Sequence, residues 1–395
     1  MKKLLSLVTV LVCFMSGTSL FAARANINTS FLVDIDDFLP WNSGGSAKAM
    51  GMGGAFTAVA DDLGAVEYNP AGLARIGHIN AAALGVFSCS TELNAAGEKK
   101  DSWEMIPTYG GAAVKLGSVA LGLSIKKPLF NAAYLEYSGL QHNVRAPDNY
   151  PMVYDNFSDK IDTSELNTYV LTAGMEFGRL AVGANANYIK GDVSRTVRGR
   201  NASRAGTNIN SEFNSTDKVE FSGYTMDFGL LYNMGILKLG VTAKNMLGKV
   251  DVTQDYEWHD DFAVGHWWTY DPAATEKTLN EFAPTYTAGA ALTLGKIATI
   301  DMDYVAVNLN SSTKALGRLG AELWVIPGFL AARGGVEANF NDLTQYVSKK
   351  SYKYTLGAGL KLWALTVDAS AAMNDVKDAT NGKSFTGAIS AALKF

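Results

Sequence analysis

The sequence predicts an all-β membrane protein, a 14-stranded antiparallel transmembrane β-barrel with an N-terminal plug, or hatch, in its lumen. Three observations predict it. Segments of about ten residues alternate apolar with small or polar side chains, a period of two. The connections between them alternate by parity between very short and long. After residue 22 no apolar run approaches the roughly 18 residues that a spanning helix needs, and the most apolar stretch, residues 315–332, is broken by Arg318 and Glu322. A soluble sandwich shares the alternation but has no reason to sort its loops by parity.

Composition excludes other classes. A net charge of -4 with 11% aromatic residues is not the signature of a disordered chain. A pI of 5.7 and the lack of a long basic run argue against nucleic acid as a partner. The first 22 residues read as a secretory signal peptide: Lys2 and Lys3, an apolar Leu4–Met15, then Ser19-Leu20-Phe21-Ala22 as a small-residue cleavage site. Its removal takes Cys13 away and leaves Cys89 as the only thiol, so no intramolecular disulfide is expected. The expected organisation is signal peptide 1–22, plug 23–77 and barrel 78–395.

The strands fall near 78–88, 103–116, 118–127, 165–177, 180–193, 218–233 and 236–249, then near 284–294, 296–307, 315–325, 328–339, 352–362, 364–373 and 384–395. In 165–177, Tyr169, Leu171, Ala173, Met175 and Phe177 share one face, opposite Thr168, Thr172, Gly174 and Glu176. In 224–233, Tyr224, Met226, Phe228, Leu230 and Tyr232 lie opposite Thr225, Asp227, Gly229 and Asn233, and in 297–306 Ile300, Met302 and Tyr304 lie opposite Thr299, Asp301 and Asp303. Short turns centre on Gly117, Gly178-Arg179, Met234-Gly235, Gly295, Ile326-Pro327 and Trp363. The long connections are 89–102, 128–164, 194–217, 250–283, 308–314, 340–351 and 374–383, with the long set expected outside. The charged face, from Glu176 and Asp227 through Arg318, Glu322, Arg333 and Glu337 to Asp368, is expected to line the lumen as salt-bridge ladders holding the plug.

Residues 23–77 lack the alternation. They contain Gly44-Gly45, a Gly-, Ala- and Met-rich stretch Ala47–Ala60, Asp61-Asp62 and Asn69-Pro70-Ala71-Gly72-Leu73. A barrel of this size is wider than its own side chains fill, so it is a channel or it is plugged. Small residues let the backbone of such a plug approach the wall closely. Asn69-Pro70 reads as a turn that fixes the chain's path into the first strand, and Asp61 and Asp62 as plug architecture rather than ligand contacts.

The stretch GMGGAFTAVADDLGAVEYNPAGLA, Gly51–Ala74, resembles the N-terminal hatch signature of the FadL-type long-chain fatty acid transporters and of their PorV/PorQ-like relatives. The likeness rests on Gly53, Gly54, Asp61, Asp62, Asn69, Pro70, Ala71 and Gly72. The C-terminal strand, with Phe385, Ile389, Ala391, Leu393 and Phe395 on one face, resembles the signal that the barrel-insertion machinery reads in outer-membrane proteins. The FadL resemblance implies passive uptake of hydrophobic compounds such as long-chain fatty acids across the outer membrane, by plug movement and sideways exit into lipid. The PorV-like branch implies instead a factor for secretion or attachment of surface proteins, with a secreted protein as partner. Outer-membrane lipid and hydrophobic small molecules are the partners under the first reading; no cofactor and no metal are implied.

Two further regions bear on function. The loop 250–283 crowds Tyr256, Trp258, Phe262, Trp267, Trp268 and Tyr270 together, a density that suits a greasy entrance for ligand or a docking loop. Strand three ends in Lys126-Lys127-Pro128. Proline cannot donate to a ladder, so the strand stops here, or it kinks and resumes through Leu129, Tyr134, Leu135 and Tyr137. The resemblance implies the kink, because FadL-like barrels open their wall sideways at the third strand. No Walker loop and no G-x-S-x-G elbow is present, so no enzyme is expected. His259 and His266, with Asp260 and Asp261, match no zinc spacing.

Overall fold

The computed structural model describes residues 45–93, 99–127, 135–145, 151–162, 165–204, 207–208, 213–260, 275–279, 284–308, 313–340, 351–375 and 384–395. Among them, fourteen strands form one closed antiparallel wall. They are β1 (Ile79–Leu93), β2 (Lys99–Leu116), β3 (Val119–Lys126), β4 (Asn167–Phe177), β5 (Leu180–Arg204), β6 (Phe213–Asn233) and β7 (Leu237–Asp260). The circuit continues through β8 (Thr285–Leu294), β9 (Ala298–Asn308), β10 (Thr313–Ile326), β11 (Leu330–Phe340), β12 (Ser351–Leu362), β13 (Leu365–Asp375) and β14 (Ser384–Lys394). Each pairs with its successor, and β14 closes on β1 with Ala83 opposite Ala391. Closure leaves no backbone edge unpaired within lipid. All fourteen expected strands are present, in order.

The alternation explains which way each residue faces. Met302 is 60% exposed while Asp301 beside it is fully buried, and the same contrast separates Phe228 from Asp227. The exposed row is apolar: Leu121, Leu171, Val241, Met302, Leu319 and Leu356 lie on the lipid side. Tyr169, Tyr188 and Tyr224 are register neighbours across β4, β5 and β6 and mark the outer border of this belt. Phe177, Phe329, Trp363 and Phe395 mark the inner border. Five inner turns hold glycine in the left-handed region, with φ from 59° at Gly295 to 91° at Gly235, and the sixth holds Trp363 at 53°.

The structure also has strands that the sequence reading treated as loops. β5, β6 and β7 run 25, 21 and 24 residues, far beyond the about ten needed to cross lipid. Leu135–Arg145 and Pro151–Asp162 form a hairpin on the outer part of β5, and Thr275–Leu279 pairs with the outer part of β7. Outside the membrane both faces of a strand meet water, so the contrast between faces that reveals a strand fades. β7 carries a bulge between Ala243 and Leu247, where Asn245 takes φ 56°.

Candidate functional site

Residues 45–77 lie inside this wall. They form α1 (Ala47–Gly51), α2 (Ala65–Tyr68) and a 3-10 turn (Pro70–Arg75), each too short to be stable alone. Two side chains start these turns: Ser46 accepts from the Ala49 amide and Asn69 from the Ala71 amide. The segment is a wad of small buried residues, with Met52, Phe56 and Leu73 fully buried among them.

The wall gives up side chains to admit it. A Cβ on Gly183 would lie 2.4 Å from the Ala71 nitrogen, and one on Gly335 2.3 Å from the Gly53 nitrogen. Gly240 and Gly289 face Thr57 and Ala58, Gly320 faces Met52, and Gly174 faces Ala74. Several are direct register partners: Gly174 with Gly183, Gly183 with Gly229, Gly240 with Gly289 and Gly320 with Gly335. These glycines form an inward girdle at plug height. The sequence showed them only as scattered strand glycines, and their alignment depends on pairing between distant segments.

Polar anchors complete the seat. Glu67 of α2 accepts from Lys126 Nζ at 2.7 Å and from Lys244 Nζ at 2.9 Å, which joins the plug to the end of β3 and the bulge of β7. Asp303 of β9 accepts from the amides of Phe56 and Thr57 at 2.9 and 3.0 Å. Asn69 donates to the Thr57 and Leu230 carbonyls, Asn185 to the Val66 carbonyl, Tyr109 to the Leu63 carbonyl and Thr355 to the Gly51 carbonyl. In the wall itself, Arg333 bridges Glu322 and Asp368, and Arg318 pairs with Glu337 at 2.6 Å. These are the ladders expected from the charged face.

Above the plug the lining changes character. Ile189 and Val193 of β5, Val219 and Phe221 of β6, Val250 and Val252 of β7, Val305 and Val307 of β9 and Leu316 of β10 all occupy the inward face and are buried. The register places Val193 opposite Val219 and Phe221 opposite Val252. An apolar band therefore stands over the polar floor formed by Glu67, Lys126, Lys244 and Asp227. The sequence assigns the charged face to the lumen but does not locate this apolar band on particular residues. Its signal was present in segments such as Val250-Asp251-Val252, where the polar residue, not the apolar one, faces out.

The expected site residues divide. Gly53 and Gly54 take φ 67° and 77° against Val336 and Arg318, Gly72 abuts the Ala60 carbonyl, and Pro70 and Ala71 meet Gly183. Asp61 pairs with Lys48 of the same plug at 2.9 Å. Burial opposes the Lys48 charge, but Asp61 and Glu322 hold its ammonium above its usual range. Asp62 accepts from Ser46 and Gly64, and burial, with the Asp61 charge beside it, pushes its carboxyl up to about 6. Asn69-Pro70 opens the 3-10 turn, so it shapes the plug one step before the path into β1. Lys126 is the last residue of β3, and Lys127 donates its amide to the Thr108 carbonyl at 2.7 Å. The next described strand, Leu135–Arg145, pairs with Pro151–Asp162 and, in parallel, with the outer end of β1. Pro128, Phe262, Trp267, Trp268 and Tyr270 lie outside the described residues, as do the side chains of Tyr256 and Trp258. Among the described residues no group of three or more metal-ligating side chains is assembled.

Neither a family model nor a curated protein matches the chain. Solved structures do. A Pseudomonas aeruginosa FadL homologue aligns over 90% of this chain and 98% of its own, with TM-score 0.59 and 14% identity. The Ralstonia pickettii toluene transporter TbuX aligns over 89% and 99%, with TM-score 0.60 and 13% identity. The Pseudomonas putida toluene transporter TodX aligns over 90% and 99%, with TM-score 0.59 and 12% identity. At such identities the likeness is one of fold: the chain is a closed fourteen-strand barrel of the FadL type.

Proposed function

We propose that the protein is an outer-membrane channel for passive uptake of hydrophobic compounds such as long-chain fatty acids. The observation that carries this reading is the apolar inward band standing directly over a polar, plugged floor. A plain aqueous pore would keep its lining polar at every height, whereas this lining suits an apolar passenger held above a closed plug. The similarity in fold to a FadL homologue and to two toluene transporters supports it. In this reading a compound is gathered at the loop 250–283, settles against the apolar band, and leaves as the plug shifts. The exit lies sideways near Lys126, Lys127 and Pro128, where β3 ends while β2 and β5 continue. Glu67 on Lys126 ties the plug to this strand end, so movement of one is felt by the other. No cofactor takes part, because the concentration gradient drives the flux.

Mass spectrometry of an organic extract of the purified protein tests the reading. Co-purifying acyl chains or other apolar compounds are expected, and their loss in a Val219→Asp/Val250→Asp variant should follow. Recovery of a bound secreted protein and no apolar compound would replace this reading with the surface-protein secretion role.

A further inference from the structure

We propose that the passenger is an apolar carboxylic acid whose carboxylate takes the place of Glu67 on Lys126 and Lys244, so that uncharged hydrocarbons settle in the lumen without releasing the plug. The inference rests on the uptake reading above and names the chemical class that the same site selects. Glu67 spreads one carboxylate over two wall cations, with Lys126 Nζ 2.7 Å from one oxygen and Lys244 Nζ 2.9 Å from the other. The two ammonium groups are therefore already spaced for a single carboxylate. Both are point charges without the fork by which arginine clamps a carboxylate, so one acid can replace another on them. The ladders within the wall use arginine instead, Arg318 on Glu337 and Arg333 on Glu322 and Asp368.

Strand register sets these cations at the foot of the apolar band. Lys126 lies opposite Thr168, Thr168 opposite Ile189, Ile189 opposite Gly223 and Gly223 opposite Val250. Lys244 lies opposite Thr285, and Thr285 opposite Val307. Each lysine thus shares an inward row with a band residue two strands away, roughly 10 Å across the sheet. An acyl chain lying against Ile189, Val250 and Val307 brings its head to the lysines. Their side chains are 12% and 17% exposed and face inward, so this exposure is to the lumen.

Charge sets which passengers release the plug. Withdrawing Glu67 strands two largely buried cations, and an incoming carboxylate removes that penalty. A ligand shifts an equilibrium only by its differential affinity for the two states. An uncharged compound meets the same band whether Glu67 is seated or withdrawn, so it favours neither. A carboxylate finds both lysines only when Glu67 has left them, so it favours the unseated plug. Two further ion pairs join plug and wall, Lys48 with Glu322 at 3.4 Å and Arg75 with Glu176 at 3.5 Å. In both the plug supplies the cation, so an anionic passenger has no plug acid to replace there.

Radiolabelled laurate and dodecanol, equal in chain length, test this on the full-length protein in amphipol. Unseating is read as the rate at which a polar maleimide labels Val66→Cys, a buried plug position, with Cys89→Ser removing the other thiol. Both compounds should bind. Saturating laurate should raise the labelling rate about tenfold or more, and dodecanol should leave it within about twofold. Glu67→Gln, which removes the competing charge, should bind laurate about tenfold or more tightly and dodecanol as before. Glu67→Met/Lys126→Met/Lys244→Met should keep dodecanol binding and lose the labelling response to laurate. Equal labelling rates with the two compounds, unchanged laurate affinity in Glu67→Gln, or a laurate response kept by the triple variant would each overturn the proposal and leave the uptake reading standing. Binding of neither compound would overturn both. Should the Glu67 variants fail to insert, the comparison of laurate with dodecanol at native Glu67 decides: a rise with laurate alone supports the exchange, and equal rates overturn it.

Discussion

Glu67→Ala removes the plug's link to two wall lysines, and the structure sets the size of the effect. One carboxylate oxygen meets Lys126 at 2.7 Å and the other Lys244 at 2.9 Å. The Glu67 side chain is 5% exposed and the lysines 12% and 17%. Removing one partner of a buried pair typically costs about 3–5 kcal/mol. Here the lysines keep some access to water and Asp227 still offsets part of the Lys126 charge, so about 2–3 kcal/mol is the appropriate range. The carboxylate belongs to the plug and both cations to the wall, so the loss falls on seating. The unseated population should rise about 30- to 150-fold. The assay is the rate at which a polar maleimide labels Val66→Cys, a position 1% exposed, in a Cys89→Ser background. Glu67→Met combined with Lys126→Met and Lys244→Met should recover much of the protection, because an apolar cluster strands no charge. An unchanged labelling rate in a correctly inserted Glu67→Ala protein would refute the reasoning.

Other consequences follow from the same geometry. Gly183→Ala drives a methyl to within 2.4 Å of the Ala71 nitrogen and should raise Val66→Cys labelling, whereas Gly117→Ala meets nothing within 4 Å and should show only the left-handed strain of about 1–2 kcal/mol in urea unfolding. Phe228→Arg, midway between Tyr224 and Tyr232 on the lipid face, should destabilise insertion by about 2–4 kcal/mol in the same unfolding assay. Asp227→Asn is not benign either: the carboxylate accepts from Asn185, Asn187 and the Asn245 amide, so loss of an acceptor should cost about 1–3 kcal/mol. Asp62 has its carboxyl raised to about 6, so the folded plug binds this proton more tightly than the unfolded chain does. Seating should therefore tighten as pH falls from 7 through 6 toward 4. Asp61, held below its usual range by Lys48 against the opposing effect of burial, does not titrate in that window. Maleimide labelling of Val66→Cys in the Cys89→Ser background, divided at each pH by the rate of a free thiol, should fall on acidification and stay flat when Asp62→Asn is added.

The wall was legible because lipid on one side and lumen on the other impose a contrast at every second residue, as in Tyr224–Tyr232. Loop parity then separated a barrel from a sandwich. The outer ends of β5 to β7 were illegible for the converse reason, since water on both faces removes the contrast. The plug was legible as composition, but its seat was not. Glu67 and Lys244 are far apart in sequence, and the wall glycines align only once β4 to β11 are paired. The apolar band above the plug could not be placed from the sequence, because there Val219 and Phe221 face inward around the outward Glu220, the reverse of the polarity that marks the faces lower in the wall. Lys126 was singled out for its position before Pro128, and its contact with Glu67 could not be read from any local pattern.

The central claim is that apolar compounds cross through this lumen, and a transport measurement tests it most directly. Purified protein would be placed in liposomes enclosing a fatty-acid-binding reporter, and the arrival of a long-chain fatty acid added outside would be timed. The account predicts faster arrival with the native protein than with empty liposomes, suppression by Val219→Asp/Val250→Asp, and no leak of an enclosed sugar. Arrival no faster than in empty liposomes, or a sugar leak equal to the fatty-acid flux, would contradict it.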